Sequence, residues 1–577
     1  MDPFGRKPMS PIRSGWARPI VTLALVALAL PARSGTGGLD ARLSQAKTII
    51  DRALVTATTP GLIIGVTDRR RLRMVIVRGY ADLKGRVPLT RSARFEIGSV
   101  SKGFTAIALM QLAQENRFDP HAPISRYLPS FAVHSRFAPI TGRALMSHTS
   151  GLPNWLADDA SSRYAVIALH DFEPTYAPGA HFWYSNTGYQ LLGYVLENID
   201  RDRYARIIQR RVLDPMGMSS TSPIIDDAER TRMVVSYITW PYNGAHLEAP
   251  WFEYSGGDGN MVSNVADLCA YMRFFLNHGM GDKGRVLSAN TFAILTTPIL
   301  DDYAYGIGAR RDPKGHLMIL HGGGIAGYRA FVEAHMDEGF GVVFLGNGEM
   351  DRALRSWVLQ VIASVFDDAP IPATPDSKAE STRADLAQYA GRYQLVDPGS
   401  RGVAGTGPAL EFAFVQGQLF LESAHGKIPL EPMGADVFRA AGEATDGLPF
   451  VFGRGGPDGQ GRVTDVSHGA LWYATDKLRE PVGPDAPKTY REYVGHFANN
   501  GPEGPIARVF VRNGRLMMFL YEGGPPVAEP LEPISTGVFR IGSEVYSPER
   551  AHFDAVVDGR ALRLLITGVP LYRMDTP

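Results

Sequence analysis

The chain has 577 residues, and Lys plus Arg equals Asp plus Glu at 59 each, so the formal net charge is zero. That balance gives no electrostatic case for a nucleic-acid partner, while 45% hydrophobic residues over this length can fill a sizeable core spread over several domains. One cysteine, Cys269, excludes an intrachain disulfide, and 14 histidines without an HExxH or a paired Cys-His spacing predict no catalytic metal and no cofactor.

The N-terminus is basic at Arg6, Lys7, Arg13 and Arg18 and then apolar from Ile20 to Leu30. A helix over that run reaches about 17 Å against roughly 30 Å of hydrocarbon core, so residues 1–35 read as an export signal and no stable membrane span is expected. Ala27-Leu28-Ala29 offers a small-x-small cleavage pattern, with the Pro31-Ala32 region as a second option. The protein is thus expected to be periplasmic or secreted, with an uncleaved inner-membrane anchor as the competing reading.

Residues 40–57 pattern as a helix, and within it Ser44-Gln45-Ala46-Lys47 sits on what the pattern makes a solvated face. Gly61 to Val66 and Leu72 to Val77 then read as a hairpin around the basic turn Asp68 to Arg71. Next comes Ser99-Val100-Ser101-Lys102, followed by Phe104, Ile107, Ala108 and Leu112 at helical spacing. Residues three apart on a helix share a face, so Lys102 can stand beside the Ser99 hydroxyl. Unpaired N–H groups at the head of that helix favour an anion developing there, and a desolvated lysine loses pKa toward a value useful in a base. Taken alone, this spacing proves little, because Ser44 and Lys47 share it.

Helical segments dominate residues 101 to 298. Within them Tyr184-Ser185-Asn186 follows the turn Pro178-Gly179 and precedes an apolar helix, which puts Tyr184 and Asn186 in a loop between helices. A phenol there suits a phenolate or a proton relay, and the Asn186 amide can bind a lysine and a backbone carbonyl together. Cys269 falls in the apolar helix Leu268 to Leu276, where a buried inert thiol is expected. Strands return at 303 to 346, where His321-Gly322-Gly323 forms a glycine-rich strand edge that a substrate backbone can approach closely. Gly322, Gly324 and Gly327 match a dinucleotide fingerprint by accident, since the residues after them alternate like a strand. Arg352 to Phe366 closes the unit with a helix. Strands at both ends of a helical middle imply an α+β domain over 36–366: an antiparallel sheet flanked by terminal helices and carrying a helical subdomain.

A linker is read at 367–385. Beyond it the chain is duplicated: Tyr389-Ala390-Gly391-Arg392-Tyr393 returns as Tyr493-Val494-Gly495-His496-Phe497, and Pro429-Leu430-Glu431-Pro432 returns as Pro530-Leu531-Glu532-Pro533. Short alternating strands indicate two small β-barrel domains at 386–479 and 490–577, with a linker at 480–489.

Four phrases together carry a family resemblance: Phe95 to Lys102, Leu145-Met146-Ser147-His148-Thr149-Ser150-Gly151-Leu152-Pro153, Pro178 to Asn186, and His321 to Tyr328. Over about residues 40 to 366 the chain resembles the penicillin-recognising serine hydrolases. Its branch is that of class C beta-lactamases, a D-alanyl-D-alanine carboxypeptidase, beta-lactamase-like esterases and D-aminopeptidase. The resemblance implies a beta-lactamase/transpeptidase-like fold. It makes Ser99 the nucleophile, gives general base and acid work to Lys102 and Tyr184, lets Asn186 orient, and lines the substrate strand with His321 and Gly323. It also implies an oxyanion hole from the backbone N–H groups of Ser99 and Gly324, each such donor being worth about 100 to 1000-fold in turnover.

Two departures bear on substrate. The third motif lacks the lysine of the family's Lys-Thr-Gly, and Gly322 stands where threonine would hold a substrate carboxylate. Small uncharged esters, amides or short peptides are therefore the expected substrates. A D-aminopeptidase or weak class C-like beta-lactamase is the alternative enzyme, and a cell-wall or beta-lactam binding protein that acylates without turnover is the alternative outside enzymes. The tail resembles the two barrels of D-aminopeptidase, where a barrel loop limits access to the site. The glycine-rich segment Pro398 to Pro408 is the candidate loop here.

Overall fold

The computed structural model describes residues 38–154, 162–170, 172–239, 246–251, 256–259, 261–325, 327–374, 386–395, 409–424, 426–434, 436–440, 449–454, 461–468, 471–475, 488–499, 506–512, 514–521 and 528–574. The expected export signal and the segment Pro398 to Pro408 lie outside them. No helix among the described residues is long and apolar enough to cross a membrane.

Seven strands build one antiparallel sheet: β1 (Gly61–Asp68), β2 (Leu72–Asp82), β3 (Val87–Pro88), β4 (Gly308–Arg311), β5 (Leu317–Ile325), β6 (Tyr328–His335) and β7 (Phe340–Gly346). They run in the order β3-β2-β1-β7-β6-β5-β4. Chain-distant strands thus meet at the centre, with Ile64 opposite Phe344. Both central strands are apolar on successive residues because both faces of the sheet are covered.

Five helices matter for the site: α1 (Leu39–Ala53), α2 (Ser101–Gln114), α3 (Asn186–Asp200), α4 (Val265–Leu276) and α5 (Arg352–Phe366). On one face Leu62, Ile64, Val66 and Phe344 pack with Leu43 and Ile50 of α1 and Trp357, Val358 and Val361 of α5. On the other, α4 presses so close that a Cβ on Gly65 would stand 2.3 Å from the Val265 side chain. The inner core continues through α2 and α3. Phe104 of α2 stacks on Tyr271 of α4 at 4.3 Å between ring centroids. Because α2 is buried on nearly every side, it has no polar face to lose, and a polar residue on it must find partners inside. Cys269 is buried in α4 and burial pushes its thiol up to about 12, which leaves it a packing residue.

The duplicated tail forms two closed eight-stranded barrels, from Gly391 to Ala474 and from Gly495 to Arg573. The repeats fold alike down to their irregularities. Pro432 pairs with Phe438 beside a bulge in the first barrel, and Pro533 pairs with Phe539 beside a bulge in the second. The matching hairpins turn at Gly417 (φ +84°) and Gly514 (φ +72°), positions open to glycine at no steric cost. Closure leaves no strand edge to aggregate. Arg512 of the second barrel pairs with the buried Asp465 of the first at 2.7 Å.

Candidate active site

Ser99 lies in a single 3-10 turn, Gly98–Val100, that runs into α2. Gly98 takes φ +50°, and a Cβ there would meet the backbone nitrogen of Gly324 at 2.7 Å. From the other side, a Cβ on Gly323 would meet the Ile97 carbonyl oxygen at 1.9 Å and the Ser99 nitrogen at 3.3 Å. Only glycines allow β5 to lie this close to the turn. The segment Gly323-Gly324 therefore runs directly against Gly98-Ser99, the two places from which oxyanion donors were expected.

One helical turn on, Lys102 is fully buried, whereas Ser99 is partly exposed. The Lys102 Nζ donates to Ser99 Oγ at 3.0 Å, to Asn186 Oδ1 at 2.5 Å and to the carbonyl of Asp258 at 2.5 Å. Three neutral oxygens thus use all three donors of an ammonium, and no carboxylate is among them.

The Tyr184 segment is placed by the phrase around His148. His148 adopts φ +57°, its carbonyl accepts from Trp183 N–H at 2.7 Å, and its Nδ1 accepts from Ser185 N–H at 3.0 Å. Its ring lies 4.1 Å from that of Tyr184. The Tyr184 ring centroid is 5.0 Å from Lys102 Nζ, and the phenol engages the Ser99 hydroxyl. Asn186 differs from expectation: it is the first residue of α3, capped by the Ser185 hydroxyl on Gly188 N–H at 3.0 Å. The loop expected there rests on the Pro178-Gly179 turn before it and the apolar run from Tyr189 after it, yet Ser185 suits a helix cap and the helix starts three residues before that run. Asn186 Nδ2 donates to Asn154 Oδ1 at 2.9 Å, which leaves its Oδ1 for the lysine.

His321 is buried beside the site, with Nδ1 against the Gly322 carbonyl at 2.6 Å and Nε2 against the Tyr303 hydroxyl at 2.9 Å. A proton on Nδ1 satisfies the carbonyl and leaves Nε2 to accept from the phenol, so the ring fits as the neutral imidazole. The glycines after it turn into β6 and not into a helix, which disposes of the dinucleotide fingerprint.

Burial orders the titrations. It lowers Lys102 to about 7, against the opposing pull of the Asp258 carboxylate. Burial and the Lys102 charge bring His321 down to about 4, and the same causes hold His148 well below the usual histidine range. Burial raises Tyr184 above the usual phenol range, against the stabilising contact with Ser99. Near neutrality the two histidines are uncharged, Tyr184 keeps its proton, and Lys102 exchanges one.

The structure therefore brings Ser99, Lys102, Tyr184 and Asn186 together, with Gly323 and Gly324 beside Ser99 and His321 behind them. Sequence reasoning missed His148, Asn154, Asp258 and Tyr303 as site neighbours. His148 stands inside a quoted phrase and Asn154 directly follows it, whereas Asp258 contributes a main-chain oxygen, which no side-chain pattern marks. Among the described residues, one set could hold a cation, Asp312, His316 and Glu338. It lies at the other end of β5 from the glycines, and His316 Nδ1 is already bonded to Glu338 at 2.6 Å.

A family profile described as Beta-lactamase matches residues 46–362. Penicillin-binding protein 4* of Bacillus subtilis is 25% identical over 395 residues, covering 63% of this chain and 86% of that relative. Protein flp of Staphylococcus aureus is 26% identical over 314 residues, covering 52% of this chain. The chain spans 62% of that relative's length. In fold, the chain is similar to an octameric penicillin-binding protein homologue from Pyrococcus abyssi, with a TM-score of 0.52 and 20% identity over 75% of this chain and all of that one.

Proposed function

The chain belongs to the beta-lactamase family, and from that premise we propose that it is an exported serine hydrolase that forms an acyl-enzyme at Ser99. The observation that carries the reading is the buried lysine hydrogen-bonded to an accessible serine at 3.0 Å, with its pKa brought to about 7. As the neutral amine, Lys102 takes the Ser99 proton while Oγ attacks a carbonyl carbon. The carbonyl oxygen gains the charge and sits against the N–H groups of Ser99 and Gly324. When the carbonyl re-forms, the bond to the alcohol or amine breaks, and the leaving group takes a proton from Tyr184, which Lys102 resupplies. Water then attacks the ester by the same route in reverse roles and frees Ser99.

Small uncharged esters, amides or short peptides suit the pocket best. His321 is neutral, Gly322 offers no hydroxyl, and the guanidinium nearest Gly324, that of Arg329, is engaged by Glu349 and by the Tyr328 carbonyl. A substrate carboxylate finds little free positive charge there. D-aminopeptidase-type and weak beta-lactamase activities use the same centre and are the alternatives to measure beside esterase activity.

The test is hydrolysis of p-nitrophenyl acetate, nitrocefin and D-alanine p-nitroanilide by wild type and Ser99→Ala, with single-turnover acylation by a fluorescent penicillin. Wild type should release its acyl group and turn over the ester, and Ser99→Ala should lose about a thousandfold or more. Equal ester rates would remove the nucleophile assignment. A stable acyl adduct without release would make the protein a receptor and not an enzyme.

A further inference from the structure

We propose that Glu549, carried by the second barrel, is a positioning residue for the Ser99 centre: its carboxylate clamps Asn154 and Trp183 and thereby fixes the Asn186 amide that faces Lys102. This rests on the reading of Ser99, Lys102 and Asn186 as the reacting centre.

Glu549 lies in the connection between two barrel strands, Val538–Ile541 and Arg550–Val557. One carboxylate oxygen accepts from the Asn154 backbone N–H at 2.8 Å and from the Trp183 indole N–H at 2.9 Å. The other accepts from Thr567 within the barrel at 2.6 Å. Bonds to an ionised acceptor are stronger than neutral ones, and here one carboxylate joins residues from two separate stretches of the catalytic domain. The connection is itself braced, because Arg550 Nη1 donates to the carbonyls of Ser547 at 2.8 Å and Glu549 at 3.0 Å. It also has a second foothold. Thr175 Oγ1 donates to the Tyr546 carbonyl at 2.5 Å, and the Tyr546 ring stacks on His181 at 4.0 Å with planes 3° apart.

The clamp reaches the chemistry through one amide. Asn154 Oδ1 accepts from Asn186 Nδ2 at 2.9 Å and from Asn186 N–H at 3.3 Å, and the Asn154 carbonyl accepts from Thr187 N–H at 3.1 Å. With its NH2 end committed to Asn154, Asn186 has to present Oδ1 to Lys102. Released from Asn154, that amide is free to turn and point its donors at a lysine that also donates. Trp183 immediately precedes Tyr184, so the same carboxylate anchors, through the indole, the residue next to the phenol. The second barrel thus completes the centre by tightening it, through the connection at 542–549; the expected segment Pro398 to Pro408 lies outside the described residues.

The experiment uses the full chain as wild type, Glu549→Ala, Glu549→Gln, Trp183→Phe and Ser99→Ala. It reads kcat, KM and the pH profile on p-nitrophenyl acetate, and the rate of labelling by a fluorophosphonate. Glu549→Ala should lower kcat and the labelling rate about tenfold with KM within about twofold, since a misplaced reacting group costs rate more than binding. Its acid limb should move to lower pH as Lys102 loses a fixed acceptor, with Asp258, Tyr184, His148 and His321 unchanged around it. Glu549→Gln keeps an oxygen for both donors and should restore most of the rate, and Trp183→Phe should cost about threefold. Wild-type kcat and an unmoved acid limb in Glu549→Ala overturn the proposal, as does equal loss in the Gln and Ala variants. Should Glu549→Ala fail to fold, an unchanged labelling rate in Trp183→Phe overturns it. Ser99→Ala separates the two readings: if it labels like wild type, the acyl-enzyme assignment fails, whatever Glu549 does.

Discussion

Ser44 and Lys47 stand three residues apart on α1, as Ser99 and Lys102 do at the head of α2, and the two lysines end in opposite surroundings. Lys47 keeps 43% of its side chain exposed and pairs with Asp51 at 2.6 Å, one turn further along the same helix. Ser44 is exposed, and its backbone carbonyl simply receives the Thr48 hydroxyl at 3.1 Å. Lys102 has no exposure and donates to three oxygens, two of which come from chain segments 84 and 156 residues away. Spacing brings a serine and a lysine together in both places. Only α2, sunk among α3, α4 and the sheet, adds the desolvation that brings an ammonium down to about 7, as the proposed base role requires.

The largest effect to be expected from this contrast comes from removing each amine in turn. Lys102→Met should lower kcat/KM on p-nitrophenyl acetate by about a thousandfold, since the serine loses the amine proposed to take its proton. Lys47→Met should leave it within about twofold. Methionine suits both places, being flexible enough to fill the buried channel of Lys102 and tolerable on the surface of α1. Comparable losses in the two variants would break the comparison.

A second measurement sharpens it through pH. The ammonium of Lys102 cannot accept the Ser99 proton, so kcat/KM should climb about tenfold per unit as pH rises toward about 7 and level off above it. His321, at about 4, and Tyr184, above the usual phenol range, place no limb of their own between pH 5 and 9. The profile of wild type should therefore show a single acid limb. A flat profile over that interval, or a limb that survives in Lys102→Met, would assign the proton transfer elsewhere.

Much of this is legible in the sequence, for reasons particular residues make plain. The hairpin at Gly61 to Val77, the helix Arg352 to Phe366 and the duplicated barrels carry strict periodicity or repetition, and these patterns are local. Ser99, Lys102 and Tyr184 stand in short phrases whose residue types the proposed chemistry needs. What could not be read is contact between distant segments. Asn154 and Glu549 lie 395 residues apart and meet through a backbone N–H, which has no signature in sequence. Asp258 likewise acts on Lys102 through its carbonyl. Asn186 shows the boundary case, because turn-forming and helix-capping residues are the same few types, and the apolar run after it does not mark which residue begins the helix.

The smallest expected effect is the most exposed to refutation. Ser44→Ala removes a hydroxyl from a solvated position on α1, where alanine is the better helix former by a few tenths of a kcal/mol. Thermal stability should stay level or rise slightly, kcat/KM should not change, and a fluorophosphonate should still attach once per chain. Because Ser44 matches Ser99 in its distance to a lysine along the helix, any fall in labelling or rate would mean that proximity alone activates a serine here. The burial of Lys102 would then be incidental to the chemistry. Unchanged labelling in Ser44→Ala, set beside none in Ser99→Ala, ties reactivity to the depth at which the amine is held.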